Sequence, residues 1–340
     1  MKKKLLVAGM ILTALGCSVS LVYGWGTWGH NHINKGAVLA LPKEMGLFFY
    51  NHVDFMVEES TVPDLRKYTM GDKNEGPRHY INLEKYDYQN DPMPKTLEDA
   101  VAKYGKDSVH RYGTLPWHIQ DMMKKLTEAF RKKRRTEILF LAADLGHYIG
   151  DAHVPLHTTL NHDGQLTGQE GIHALWESRL PELFGKNYKL YTGEARYVKN
   201  VEKTTWAVID SSYKRLTKLL SYEHKMKLDN PLDRQYIMGD DGKPAKNKFG
   251  QPIHAYAYAH VYHELLDGMV EKQLRQAIQV TADYWYTAWV NAGSPDLSDL
   301  DNESLTERNA PYYEEDMKAW KKGKVRGCKA EKEFPAAPKE

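Results

Sequence analysis

The sequence predicts an all-α protein, a single-domain helical bundle. Three observations carry that prediction. Apolar residues recur at three-to-four spacing over runs too long for ordinary strands, and strand-like alternation bounded by hairpin turns is scarce. Histidines and carboxylates also sit four apart inside the apolar runs. With 340 residues, 41% hydrophobic and 11% aromatic, the chain has ample core material, which excludes wholesale disorder and fibrous architectures. A formal net charge of +2 spreads no field of one sign, so composition alone advertises neither a nucleic acid nor a membrane.

Residues 1–24 read as a secretory signal, with Lys2, Lys3 and Lys4 as its charged start and Leu5 to Gly16 as its apolar stretch. Val22 and Gly24 supply small residues before a cut, so the expected product is exported, periplasmic or extracellular, and begins at Trp25. Two alternatives stay open. Leu5 to Gly24 carries no charge and is long enough for a retained anchor, and Ala14-Leu15-Gly16-Cys17 hints at lipid attachment. Cleavage before Trp25 removes Cys17 and leaves Cys328 alone, so no internal disulfide is expected and a large core takes the place of covalent staples.

The predicted helices run over Leu115 to Phe130, Thr136 to Ala152 and Ala255 to Ala292. Pro63, Pro77, Pro92 to Pro94, Pro155 and Pro181 punctuate the remainder. Asp229 to Pro252 is polar and turn-rich and reads as a surface loop. The main domain is expected over 25–296. A polar extension then covers 297–340, its charges facing solvent and its ending, Pro335 to Glu340, poorly ordered.

The most informative stretch is Leu139 to Glu177. His147 and Asp151 are four apart on a predicted helix, which puts imidazole and carboxylate on one face, about 5–6 Å apart at Cβ and able to converge on one metal. His173 and Glu177 repeat the spacing, and His157 follows Pro155 at the helix end. A single such pair is usually a surface ion pair worth a few tenths of a kcal/mol. Two pairs in apolar surroundings argue for coordination, because buried ionisable groups are costly unless paired or metal-bound. A front group adds weaker candidates: His30 in Trp25-Gly26-Thr27-Trp28-Gly29-His30, Asp64 after Pro63, and His79 in Pro77-Arg78-His79-Tyr80-Ile81-Asn82. A freed α-amino group at Trp25, with a reference pKa of about 7.7–8.0, binds metal once neutral. His260 and His263 beside Glu264 lack a third ligand, and His153 lies near the proposed metals without an assigned role.

Over roughly Trp25 to Asp296 the sequence resembles the superfamily of zinc-dependent phospholipases C and S1/P1-type single-strand nucleases. The most specific element is the series His147, Asp151, His157, followed by His173 and Glu177. The resemblance implies an all-helical secreted phosphodiesterase with three Zn2+ ions. Asp64, His79, His147 and Asp151 hold one, with Asp151 bridging to a second that the amino group and carbonyl of Trp25 and His30 chelate. His157, His173 and Glu177 hold the third. Oxygen and nitrogen ligands without cysteine suit catalytic zinc, which retains open positions. The expected chemistry is in-line attack on phosphorus by hydroxide, with Asp64 as a base as well as a ligand and Asp151 indispensable.

The substrate reading is divided. The closely spaced Trp25 and His30 look like the nuclease opening, whereas the short His157 to His173 interval and Glu177 look like the phospholipase branch. The nuclease branch carries a glycine-rich, asparagine-bearing segment in that interval, where this chain has only Asn161-His162-Asp163-Gly164-Gln165. The expectation is therefore a phospholipase C-type hydrolase, with a phospholipid head group as substrate and contact with a membrane surface. A nuclease for single-stranded nucleic acid is the alternative, and a non-catalytic zinc-stabilised phosphate-binding protein is the further one. No protein partner is expected.

Overall fold

The structure is a computed structural model that describes residues 25–247, 250–301 and 304–328. The signal segment, Cys17 and the chain ending from Pro335 to Glu340 lie outside the described residues. Four helices open the described chain: α1 (Thr27–Ala40), α2 (Lys43–Asn51), α3 (Val53–Glu59) and α4 (Val62–Thr69). A 3-10 turn at Gly76–His79 precedes α5 (Leu97–Tyr104), α6 (Lys106–Tyr112), α7 (Leu115–Arg131) and α8 (Arg135–Ala152). After a second 3-10 turn at Pro155–Thr158, α9 (Ile172–Ala174) runs through a π-helical turn, Leu175–Arg179, into α10 (Leu180–Phe184). The remainder comprises α11 (Val201–Tyr213), α12 (Leu216–Asp229), α13 (Leu232–Gln235), α14 (Tyr256–Leu265), α15 (Met269–Asn291) and α16 (Ala310–Lys321). The fold is all-α, as the apolar periodicity predicts. Among the described residues, no helix is long and apolar enough to cross a membrane.

The core forms where α1, α7, α8 and α15 pack on one another. α7 is amphipathic, burying Leu115, Ile119, Met122, Leu126 and Phe130 along one face, with Pro116 at its start. α8 differs, because every residue from Leu145 to Ala152 is buried, polar ones included. A helix surrounded on all sides has no solvent face on which to leave a histidine, so His147 and Asp151 point into protein. Two glycines on α8 let α1 approach closely. A Cβ at Gly146 would fall 2.0 Å from Asn34 Oδ1, and one at Gly150 would fall 3.2 Å from His30 Nδ1. Asn34 Nδ2 then donates to the carbonyls of Met56 (3.0 Å) and Ala143 (3.1 Å), tying α1 to α3 and α8.

Three segments depart from the sequence expectation. The run from Ala255 to Ala292 is two helices, broken where Asp267 (φ 54°) and Gly268 (φ 67°) adopt left-handed conformations; apolar periodicity continues across the break because both halves face the core. The turn-rich segment from Asp229 to Pro252 contains α13 and isolated bridges pairing Tyr236 with His254, Met238 with Pro244 and Lys246 with Pro252. Past residue 297, α16 packs on α1, and one of the charges expected to face solvent is buried. Asp316, in the acidic run beginning at Glu314, is buried against Lys35 at 2.7 Å and accepts a hydrogen bond from Tyr50 Oη at 2.9 Å.

Candidate metal centre

Every side chain singled out in the sequence as a metal ligand reaches one buried region. α1 brings His30, α4 brings Asp64, the first 3-10 turn brings His79, and α8 brings His147 and Asp151. The second 3-10 turn supplies His157, and the α9–π segment supplies His173 and Glu177. None is more than 4% exposed. Their ligand atoms fall into three mutually close groups: Asp64, His79 and His147; His30, His147 and Asp151; and His157, His173 and Glu177. Asp151 Oδ2 lies 2.8 Å from His79 Nδ1 and 3.3 Å from His147 Nε2, while its Oδ1 lies 3.6 Å from His30 Nε2 and 3.8 Å from His157 Nδ1. It therefore sits at the junction of the groups. Trp25 is fully buried alongside; its indole Nε1 donates to the Gly150 carbonyl at 2.8 Å, and Gly26 N donates to the Glu177 carbonyl at 3.4 Å.

The histidines share one device. His147 Nδ1 faces the Ser60 carbonyl at 2.8 Å, His157 Nδ1 the His79 carbonyl at 2.6 Å, and His173 Nδ1 the His162 carbonyl at 2.8 Å. His79 uses Nε2 toward Glu75 Oε1 at 3.3 Å. A ring nitrogen beside a backbone carbonyl carries the proton, which leaves the opposite nitrogens of His147, His157 and His173 with their lone pairs directed into the cluster, while His79 stands between two carboxylates, Glu75 at Nε2 and Asp151 at Nδ1. His147 Nε2 and His79 Nδ1 are 3.0 Å apart, and His157 Nε2 and His173 Nε2 are 3.1 Å apart. At His157 and His173, two lone pairs facing at that distance repel. Two nitrogens on one tetrahedral zinc, each at about 2.0–2.1 Å, would stand about 3.3 Å apart.

Unpartnered atoms mark the same place. Both nitrogens of His30, Asp151 Oδ1 and Glu177 Oε2 are buried without a hydrogen bond, an arrangement that is costly unless a cation satisfies them. These residues fit a group of divalent ions by donor type, by orientation and by the unpartnered atoms of His30, Asp151 and Glu177.

Local charge differs across the cluster. Burial opposes ionisation of Asp64, yet Lys67, His147 and His79 hold its pKa below the ordinary carboxylate value. Burial likewise opposes Asp151, which His147 and His157 pull well below the ordinary value. Burial lowers His30 well below the usual imidazole value, with His147 adding to the effect. At Glu177 burial prevails and raises the carboxyl well above its ordinary range.

The S1/P1 nuclease family profile matches residues 25–294. The chain belongs to the S1/P1 nuclease family. Members of that family hydrolyse phosphodiesters and use zinc, so this chain is a phosphodiester-hydrolysing enzyme of nuclease type, and its histidine and carboxylate groups are able to bind metal. No curated protein matches the chain. The phospholipase C expectation receives no support from the family match, which favours the nuclease alternative.

Other histidines stand apart. His153 Nδ1 is pinned to the Ile149 carbonyl at 2.8 Å, and His263 Nε2 is bonded to Tyr188 Oη at 2.8 Å, away from all three groups. Conversely, two residues of the site escaped the sequence reading. Lys67 Nζ lies 2.7 Å from Asp64 Oδ1, one turn along α4, and Glu75 braces His79 while accepting from Arg78 Nη1 at 2.8 Å. The spacing of Asp64 and Lys67 was a usable signal. That of Glu75 and His79 was too, but Asp72-Lys73-Asn74-Glu75 reads as a solvated polar loop.

Proposed function

We propose that this chain is a zinc-dependent nuclease acting on single-stranded nucleic acid, with three zinc ions at the three groups. The observation that carries the reading is the set of imidazoles whose outer nitrogens face carbonyls or Glu75 and whose inner nitrogens converge without donors. Asp64, His79, His147 and Asp151 are the ligands for one ion. His30, Asp151 and the amino group and carbonyl of a processed Trp25 serve a second, and His157, His173 and Glu177 a third. When bound, adjacent zinc ions neutralise the phosphodiester charge, acidify water and stabilise the departing oxygen.

The protein's own groups do the positioning. Asp64, held ionised beside Lys67, accepts a hydrogen bond from the attacking water and aims it at phosphorus. Lys67 places a positive charge at the edge of the cluster, where a non-bridging phosphoryl oxygen gains charge during attack. Asp151 keeps neighbouring histidines at fixed separation by touching four of them. The depth of the ligands favours a single strand. A diester reaches a centre this buried only if its flanking nucleotides can splay apart, which base pairing forbids.

The short 161–173 loop does not supply base contacts in this reading, because its polar atoms serve the loop itself. Asn161 Oδ1 accepts from Leu166 N at 2.8 Å and Asn161 Nδ2 donates to Thr167 Oγ1 at 3.0 Å. Asp163 Oδ1 accepts from the backbone N–H groups of Gly171 and His173.

The test is a parallel assay of the protein beginning at Trp25, with single-stranded DNA, single-stranded RNA, duplex DNA, phosphatidylcholine and bis(4-nitrophenyl) phosphate. Single strands should exceed duplex and phospholipid by orders of magnitude, with loss on chelation. A comparable preference for phosphatidylcholine would overturn the reading. One residue added before Trp25 should remove one zinc ion by metal analysis; three retained ions would exclude the terminus as a ligand.

A further inference from the structure

A cavity of about 400 Å3 lies among α5, α6, α7 and the Gly76–His79 turn. That volume is at the lower end of small-molecule sites, enough for one nucleotide unit and not for a strand. Its wall is apolar where Trp117, Leu97 and Val101 line it, and its rim carries Lys95, Lys106 and Lys124. These three lysines have no ion-pair partner among the described residues. The acid in the lining, Asp121, is engaged by Lys125 Nζ at 2.7 Å, so it does not neutralise them. In a protein whose overall charge is close to balanced, three cations without ion-pair partners around one cavity favour an anion there.

Two further atoms point to an occupant. The Nε2 atoms of His118 and Gln120, both on α7 and both in the lining, are shielded from water and have no hydrogen-bond partner. His118 and Gln120 thus bring an imidazole and an amide with unused bonding capacity to the lining, and a side-chain rotation toward the cavity would present them to the edge of a nucleobase. The cavity also adjoins the metal centre through two links. Arg78 lines it and donates to Glu75, which braces His79, and the His118 ring packs edge-on against Tyr148 at 4.5 Å between centroids.

We propose that this cavity is a second nucleotide site, taking one phosphorylated nucleoside with its base against Trp117 and Leu97 and its phosphate at Lys95, Lys106 and Lys124. The choice of a nucleotide over other amphipathic anions rests on the nuclease reading. The unit can come from a free mononucleotide product or from the strand under cleavage, and the chemistry of recognition is the same.

The experiment uses the full zinc-loaded enzyme, the charge-reversed double variant Lys106→Glu with Lys124→Glu, and the conservative pair Lys106→Arg with Lys124→Arg. All these positions are exposed, and none touches the metal ligands. Titration calorimetry with AMP should show charge reversal weakening one binding event at least about tenfold, while the arginine pair retains it. Turnover of bis(4-nitrophenyl) phosphate, which needs only the metal centre, should stay the same in all three proteins. If the strand is the source, kcat/KM for a single-stranded decamer falls as well, and its salt dependence becomes shallower by about 0.7 per lost phosphate contact on a log–log plot. If the free mononucleotide is the source, only AMP binding falls. AMP binding and decamer kinetics both unchanged by charge reversal would overturn the site. An unaltered enzyme inactive on every single strand, but losing AMP on charge reversal, would overturn the substrate reading and support the site.

Discussion

His147 and Asp151 lie on the regular turns of α8 with Nε2 and Oδ2 3.3 Å apart, whereas His173 and Glu177 straddle the junction of α9 and a π-helical turn, with Nε2 and Oε2 2.8 Å apart. The sequence spacing is the same. The electrostatic outcome is opposite, because neighbours decide it. Asp151 has four histidines around it, and His147 and His157 overcome its burial to hold it well below the ordinary carboxylate range. Glu177 has burial as its dominant influence, His157 does not offset it, and its carboxyl is pushed well above that range. Spacing thus brings two carboxylates to comparable positions, while the surrounding side chains determine in which direction each pKa moves. A cation beside Glu177 opposes the shift that burial causes, whereas at Asp151 the histidines already favour the charged form.

The largest expected effect follows from Asp151→Asn. One residue joins several groups, so turnover should fall to background and more than one zinc ion should be lost by metal analysis. The chelated protein should also lose stability. Removing a buried carboxylate leaves the raised His147 without its counter-charge, a change of the kind that costs about 3–5 kcal/mol, readable in chemical denaturation. Glu177→Gln should behave differently. It should remove a single ion and lower turnover, yet destabilise the chelated protein less than Asp151→Asn does, since burial already favours the neutral form of this carboxyl. Equal destabilisation of the two chelated variants would break the comparison.

A smaller effect tests the outer layer. Glu75→Gln keeps the shape beside His79 but removes the charge that fixes its ring. Loss of such an orienting carboxylate weakens metal affinity about 10- to 100-fold, and competition with a chelator should show this for the ion at Asp64, His79 and His147. An unchanged affinity would mean that the helical and turn backbone alone positions His79.

How much of this was legible in the sequence depends on whether the information was local. Helices α7 and α8 and the two His–carboxylate pairs follow from residues three or four apart, which share a face whatever the rest of the chain does. Asp64 and His79 are weak candidates by themselves and join one site only through the family resemblance, because nothing near them in sequence records that α4 and the first 3-10 turn meet α8. Glu75 reads as part of a polar loop, and its contact with Tyr148 spans 73 residues. Asp316 reads as a solvated tail charge, and its pairing with Lys35 spans most of the chain. The break at Asp267 and Gly268 did have a local cue in the glycine. Periodicity concealed it, because α14 and α15 each bury one face on the same core.

The smallest expected effect separates the two pairs by their backbones. His147 lies inside a long helix whose hydrogen bonds hold it in place, but His173 is two residues into a three-residue helix that Gly171, with φ 93°, introduces. Asp163 Oδ1 accepts from Gly171 N at 3.1 Å and from His173 N at 3.2 Å, replacing the partners that a longer helix would provide. Asp163→Ala should therefore cost about 1 kcal/mol for each lost bond. It should speed hydrogen exchange at the amides of Gly171 and His173, and selectively loosen the ion at His157, His173 and Glu177. Occupancy of the ion at Asp64, His79 and His147 should not change, because α8 does not rely on that loop. If both ions weaken together in Asp163→Ala, the two pairs form one cooperative unit and the contrast between regular and π-helical scaffolds does not govern metal retention.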